Sequence, residues 1–197
     1  MIQMGIYSDE QSARAAAASL KQMGAAGCVF DDNGSLRLIA AAFSDEASAE
    51  SVRTRLESEG HECSVFKLSR SGAELDITAD PSRLVPIRTA FTLAADVVTQ
   101  LDELAIDFDA SSRSMEYGLD VLSEIRSNVI SARAGVGEAA QKNEVLGLVD
   151  VYLNDVLDMT DDAASASFER TAFSSALKAL RVRAALRYAE LLGLIGG

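Results

Sequence analysis

The chain has 197 residues, 48% of them hydrophobic, enough for one large core or two small ones. Its net charge of −12 divides into 7 basic against 12 acidic residues up to position 78 and 11 against 18 beyond it. Neither half therefore carries the clustered Lys and Arg that nucleic-acid phosphates or anionic membranes require.

No run of 18 apolar residues occurs, and Met1 leads directly into strand-like sequence. As it stands the chain reads as cytoplasmic; an extracytoplasmic address needs a signal or anchor upstream of residue 1. Cys28 and Cys63 are too few for a disulfide framework and lack metal-type spacing.

Within the first 68 residues one unit is written twice at an offset of 36. Tyr7 aligns with Phe43, Ser8-Asp9-Glu10 with Ser44-Asp45-Glu46, Leu20 with Leu56, Gly24 with Gly60, and Val29-Phe30 with Val65-Phe66. Each copy predicts a strand, then a helix of about four turns with Ser8 or Ser44 as N-cap and acids in the first turn. Ala and Leu recur at spacings of three and four along each helix, giving one buried face, and Gly24 and Gly60 supply the left-handed stop. A second strand closes each unit, at Cys28 to Phe30 and at Ser64 to Leu68. Between the copies, Asp31-Asp32-Asn33-Gly34 is a hairpin turn; its adjacent acids do not have the alternate spacing of a calcium loop.

This order predicts an α+β fold, a ferredoxin-like βαββαβ unit whose two helices cover one face of a four-stranded antiparallel sheet and leave the other face open. Strand alternation places Ile2, Met4 and Ile6 on one side and Gln3, Gly5 and Tyr7 on the other. In the third strand Leu36, Leu38 and Ala40 alternate with Ser35, Arg37 and Ile39. Gln3 and Arg37 thus fall on the face away from the helices, either as solvated residues of a half-exposed sheet or as a binding pair.

The first-strand phrase Gln3-Met4-Gly5-Ile6-Tyr7, the helix ending Leu20-Lys21-Gln22-Met23-Gly24, and Leu36-Arg37-Leu38-Ile39-Ala40-Ala41-Ala42-Phe43 resemble the SPOR (sporulation-related repeat) domain over roughly residues 1–69. Ile6 stands where that family usually has Ser or Ala, and Ala41-Ala42 replaces its Gly-Pro. The resemblance implies a peptidoglycan-binding module of bacterial envelope and division proteins that recognises glycan strands stripped of stem peptides. By position it implies glycan-facing roles for Gln3 and Arg37, with further contacts at Ser35 and near Val65. The usual ferredoxin-like strand order puts the second and fourth strands at opposite edges, which keeps Cys28 and Cys63 apart as free thiols. Small ligand-sensing regulatory modules share the element order, but they carry a glycine-rich turn that Tyr7-Ser8-Asp9-Glu10 lacks.

After a turn at Ser69 to Gly72, Glu74 to Thr78 reads as one more short strand or an extended connector. Pro81 and Pro86 then mark a change to helix. Four segments follow, marked by Phe91 to Phe108, Met115 to Val129, Val145 to Val156 and Phe173 to Ile195, and predict an antiparallel four-helix bundle. The domains are accordingly 1–78 and 79–197.

The acids Asp150, Asp155, Asp158, Asp161 and Asp162 lack the histidines of di-iron bundles and face a basic stretch, Lys178, Arg181, Arg183 and Arg187, with which they can pair. His61, the only histidine, sits just beyond a helix stop, and no nucleophile, base or metal constellation is present, so neither an enzyme nor a cofactor is expected. The reading is a non-enzymatic envelope protein: a SPOR-like module for peptidoglycan glycan strands, joined to helices that serve as spacer, self-association unit or partner platform. Two alternatives stay open, a scaffold whose SPOR-like fold no longer binds glycan and a small-ligand sensor.

Overall fold

The computed structural model describes residues 1–110 and 112–196. Strand β1 (Ile2–Tyr7), helix α1 (Glu10–Gln22) and strand β2 (Cys28–Asp32) form the first unit; β3 (Ser35–Ala41), α2 (Glu46–Ser58) and β4 (Ser64–Val65) form the second. The strands lie in the order β2-β3-β1-β4 and every neighbouring pair is antiparallel. This is the expected ferredoxin-like sheet. Cys28 and Cys63 are both free.

The helix starts differ from expectation by one residue. Asp9 and Asp45, not Ser8 and Ser44, are the N-caps, and each carboxylate accepts from the backbone N–H three residues on, Ser12 and Ser48, at 2.8 Å. A carboxylate satisfies the free N–H as a hydroxyl would and adds charge at the positive end of the helix dipole. The turn between β2 and β3 is as expected, with Asn33 at φ 54° and Gly34 at φ 86°, the conformation of a tight hairpin.

Strand β1 is not regular. Its register against β3 shifts between Ile2 and Gln3 and again between Gln3 and Gly5, so that Ile6 pairs with Arg37 and Tyr7 with Leu36. One consequence reverses the simple alternation: Tyr7 packs with Ile2 and Met4 on the helix side, while Ile6 shares the face of Arg37 and is 55% exposed. Gly5 leaves room there for the Tyr7 ring, from which a Cβ would be 3.0 Å away. Strand β4 is shorter than Ser64 to Leu68, although Met1 and Phe66 still exchange two main-chain hydrogen bonds of 2.9 Å. Residues 66–80, including Glu74 to Thr78, form a connector without regular secondary structure.

Beyond it come α3 (Pro81–Asp109), α4 (Met115–Val136), the single turn α5 (Ala139–Lys142), α6 (Glu144–Ser165) and α7 (Arg170–Gly196). The four long helices match the expected bundle, and one core runs through it, from Val97 and Leu101 to Ile125, Leu153 and Leu177. Phe173 meets Phe108 edge-on at 5.2 Å and lies so close to α4 that a Cβ at Gly118 would be 2.7 Å from its ring.

The sheet face expected to be open is partly covered. Helices α1 and α2 cover the side of Ile2, Leu38 and Ala40, and α7 lies on the other side, where Val182 is buried with Met1, Cys28, Ile39 and Ala42. The start of α7 is tied to the end of α1: Ser175 Oγ donates to Ala25 O and Lys178 Nζ to Gly24 O, each at 2.8 Å. Farther along, Arg181 forms a buried ion pair with Asp102 of α3 and lies 5.2 Å over the Phe43 ring. Arg183 and Arg187 do pair with the acids of α6, through Asp162 and Asp155, but Lys178 and Arg181 turn instead to α3, through Asp109 and Asp102.

Two predictions follow from these contacts. Asp102→Ala strands the Arg181 guanidinium in the interior and is expected to cost about 3–5 kcal/mol in urea unfolding, whereas Asp102→Leu combined with Arg181→Met is about neutral. The second concerns the helix caps, where the Ser12 and Ser48 backbone N–H groups hold the Asp9 and Asp45 carboxyls below the usual range. Their contribution is complete above the unfolded-state value and is lost as pH falls through the depressed folded value. Asp9→Asn with Asp45→Asn keeps the acceptors and removes the charge, so the acid-side slope of stability measured by urea titration should flatten.

Candidate glycan-binding face

The candidate site occupies the end of the second sheet face that α7 leaves uncovered. Its centre is Arg37 on β3, opposite Phe30 of β2 on one side and Ile6 of β1 on the other. Arg37 Nε donates to Asp32 Oδ2 at 2.6 Å and Nη1 donates to Gln3 Oε1 at 2.7 Å. Its guanidinium lies 4.8 Å over the Phe66 ring. Gln3 Nε2 in turn donates to Ser64 Oγ at 3.2 Å, so one chain of polar contacts crosses all four strands.

This chain holds Arg37 in place. The side chain is 22% exposed, and no hydrogen bond runs from its Nη2 to another described residue. The Gln3 carbonyl accepts from Arg37, and its amide nitrogen faces Ser64 of β4. The resulting surface offers fixed N–H donors beside the half-buried rings of Phe30 and Phe66, whose centroids are 5.6 Å apart. Donors beside an apolar face are what an acetamido sugar requires, with hydrogen bonds to its oxygens and its ring C–H groups on an aromatic.

The four sequence-derived positions are distributed unequally. Gln3 and Arg37 are in direct contact. Ser35 lies two residues from Arg37 on β3, paired with Asp32. Val65 pairs with Ile2 and packs with it under α2, on the far side of the sheet, while its neighbour Ser64 takes the contact with Gln3. Phe30, Phe66 and Asp32 were not singled out from sequence. The repeat held the signal for both rings, since it equates Val29-Phe30 with Val65-Phe66.

On either side of α7 a groove continues from this face. Along β2 it encloses about 730 Å³ between Phe30, Asp31, Arg183 and Arg187; along β4 it encloses about 410 Å³ between Phe43, Lys67, Arg70 and the Arg181–Asp102 pair. Among the described residues no group of three or more His, Cys, Asp or Glu is placed to hold a metal ion, and no helix is long and apolar enough to cross a membrane.

The first 67 residues thus form a ferredoxin-like sheet of two repeated strand-helix units with a Gln–Arg pair on the strand face. Residues 1–67 match the family model for the SPOR domain. SPOR domains generally bind peptidoglycan, act in the bacterial cell envelope and are binding rather than catalytic units. No curated protein and no solved structure matches the chain, and nothing is recognised for the helices that follow.

Proposed function

We propose that the chain is a non-enzymatic envelope protein in which residues 1–78 bind peptidoglycan glycan strands and residues 79–197 act as a spacer and interaction unit. The observation that carries this reading is the Arg37–Gln3 hydrogen bond on the strand face of the segment that matches the SPOR family. An amide and a guanidinium already held by Asp32 and Ser64 bind without further loss of side-chain freedom, which favours a shallow site for hydroxyl and acetamido groups. Phe66, under the guanidinium, supplies the apolar platform that Ser35 does not. Ser35 contributes a hydroxyl at the rim, and the fourth-strand contact belongs to Ser64 rather than to Val65.

One observation favours a second reading, in which the chain is a scaffold that does not bind glycan: α7 covers Met1, Cys28 and Ile39 on the same face. Sedimentation with purified sacculi stripped of stem peptides separates the two. The wild-type chain is expected to be retained, and Gln3→Ala with Arg37→Ala to lose at least about tenfold in retention, the equivalent of two lost polar contacts. Absence of wild-type retention removes the glycan reading and leaves the scaffold.

A further inference from the structure

The uncovered and covered parts of the sheet face are continuous. Ile39 is two residues along β3 from Arg37 and is the register partner of both Gln3 and Cys28. An extended polymer lying on Gln3, Arg37 and Phe66 therefore meets α7 as soon as it advances along the strands.

Helix α7 is held unequally by its two neighbours. Phe173, Leu177, Leu180, Ala184 and Leu191 are buried in the bundle core, whereas the residues that meet the sheet are Ala179, Val182, Ala185 and Leu186, of which only Val182 is fully buried. The polar ties to the sheet unit are hydrogen bonds from Ser174, Ser175 and Lys178 to the Gly24 and Ala25 carbonyls at the end of α1, which water can replace, the contact of the Cys28 thiol with the Ala179 carbonyl, and the Arg181–Phe43 contact. The Arg181–Asp102 ion pair lies wholly within the bundle and survives separation. Phe66 and Leu68 pack with the sheet and Ile77 and Ala79 with the bundle, and the eight residues between them, 69–76, have no regular structure and reach about 26 Å when extended, enough for α7 to lift off the sheet while tethered.

We propose that α7 is an autoinhibitory cover on the SPOR face. Docked, it occupies the apolar half of the sheet and confines a glycan to the Gln3–Arg37 end. Undocked, it exposes Ile39 and Cys28 and lets a glycan strand lie along the whole face. The proposal rests on the glycan-binding reading, and Cys28 makes the two separable. This thiol is buried against α7, with Sγ 3.7 Å from the Ala179 carbonyl oxygen, and burial pushes its pKa up to about 11. Its rate of maleimide labelling therefore reports docking whether or not glycan binds.

The test uses the full chain in a Cys63→Ser background. Val182→Glu, which puts a charge into the α7–sheet contact and not into the bundle core, is expected to raise Cys28 labelling and retention on stem-free sacculi about tenfold each. Ala179→Cys, oxidised to a disulfide with Cys28, is expected to bind several-fold less than the same protein reduced. Unchanged Cys28 labelling in Val182→Glu, or equal retention of oxidised and reduced Ala179→Cys, overturns the proposal. Rapid labelling with wild-type retention that does not increase overturns the cover while leaving glycan binding standing. If every form fails to be retained, including the opened one, glycan binding and the cover fall together.

Discussion

Helix α7 has to satisfy two partners at once, and the arrangement of the whole chain depends on it. A helix apolar on one stripe needs one neighbour; α7 carries a second stripe, Ala179, Val182 and Ala185, centred roughly half a turn away from Leu177, Leu180 and Ala184. The first stripe completes the four-helix core and the second closes the apolar half of the sheet. Between them lies Arg181, too enclosed to reach bulk water, and the Asp102 carboxylate of α3 is what makes its burial tolerable. The bundle thus covers the apolar half of the strand face.

The remaining half of that face is organised around one guanidinium. Arg37 links the carboxylate of one edge strand, the amide of a central strand and the aromatic ring just beyond the other edge strand. Such a network orders the donors before any ligand arrives. It also offsets charge: Asp32 takes up the positive charge of Arg37, so the surface presents N–H groups rather than a strong field. That suits sugar oxygens better than phosphate and agrees with the acidic balance of the chain.

Much of this was legible because it is local. The 36-residue repeat predicted two equivalent strand-helix units, and the Asn33-Gly34 turn and the glycine stops at Gly24 and Gly60 followed from backbone conformation alone. The register shifts of β1 were not legible from strict alternation, and they moved Ile6 and Tyr7 to opposite faces from those expected. Val65 came from family position and its neighbour Ser64 is the residue that meets Gln3, a pairing fixed by the register of β1 and β4. The covered face was invisible for a different reason. Periodicity along α7 finds the stripe that fills the bundle, and the small residues Ala179 and Ala185 on the other side look like ordinary helix formers until a sheet lies against them.

The account turns on glycan recognition by the Gln3–Arg37 pair, and side-chain NMR of the labelled full chain titrated with a stem-free glycan fragment tests it most directly. The account predicts shifts at the Gln3 amide, the Arg37 Nε–H and the Phe66 ring, fading toward the bundle. Shifts confined to the helices beyond residue 80, or none at these three side chains at saturating fragment, would contradict it.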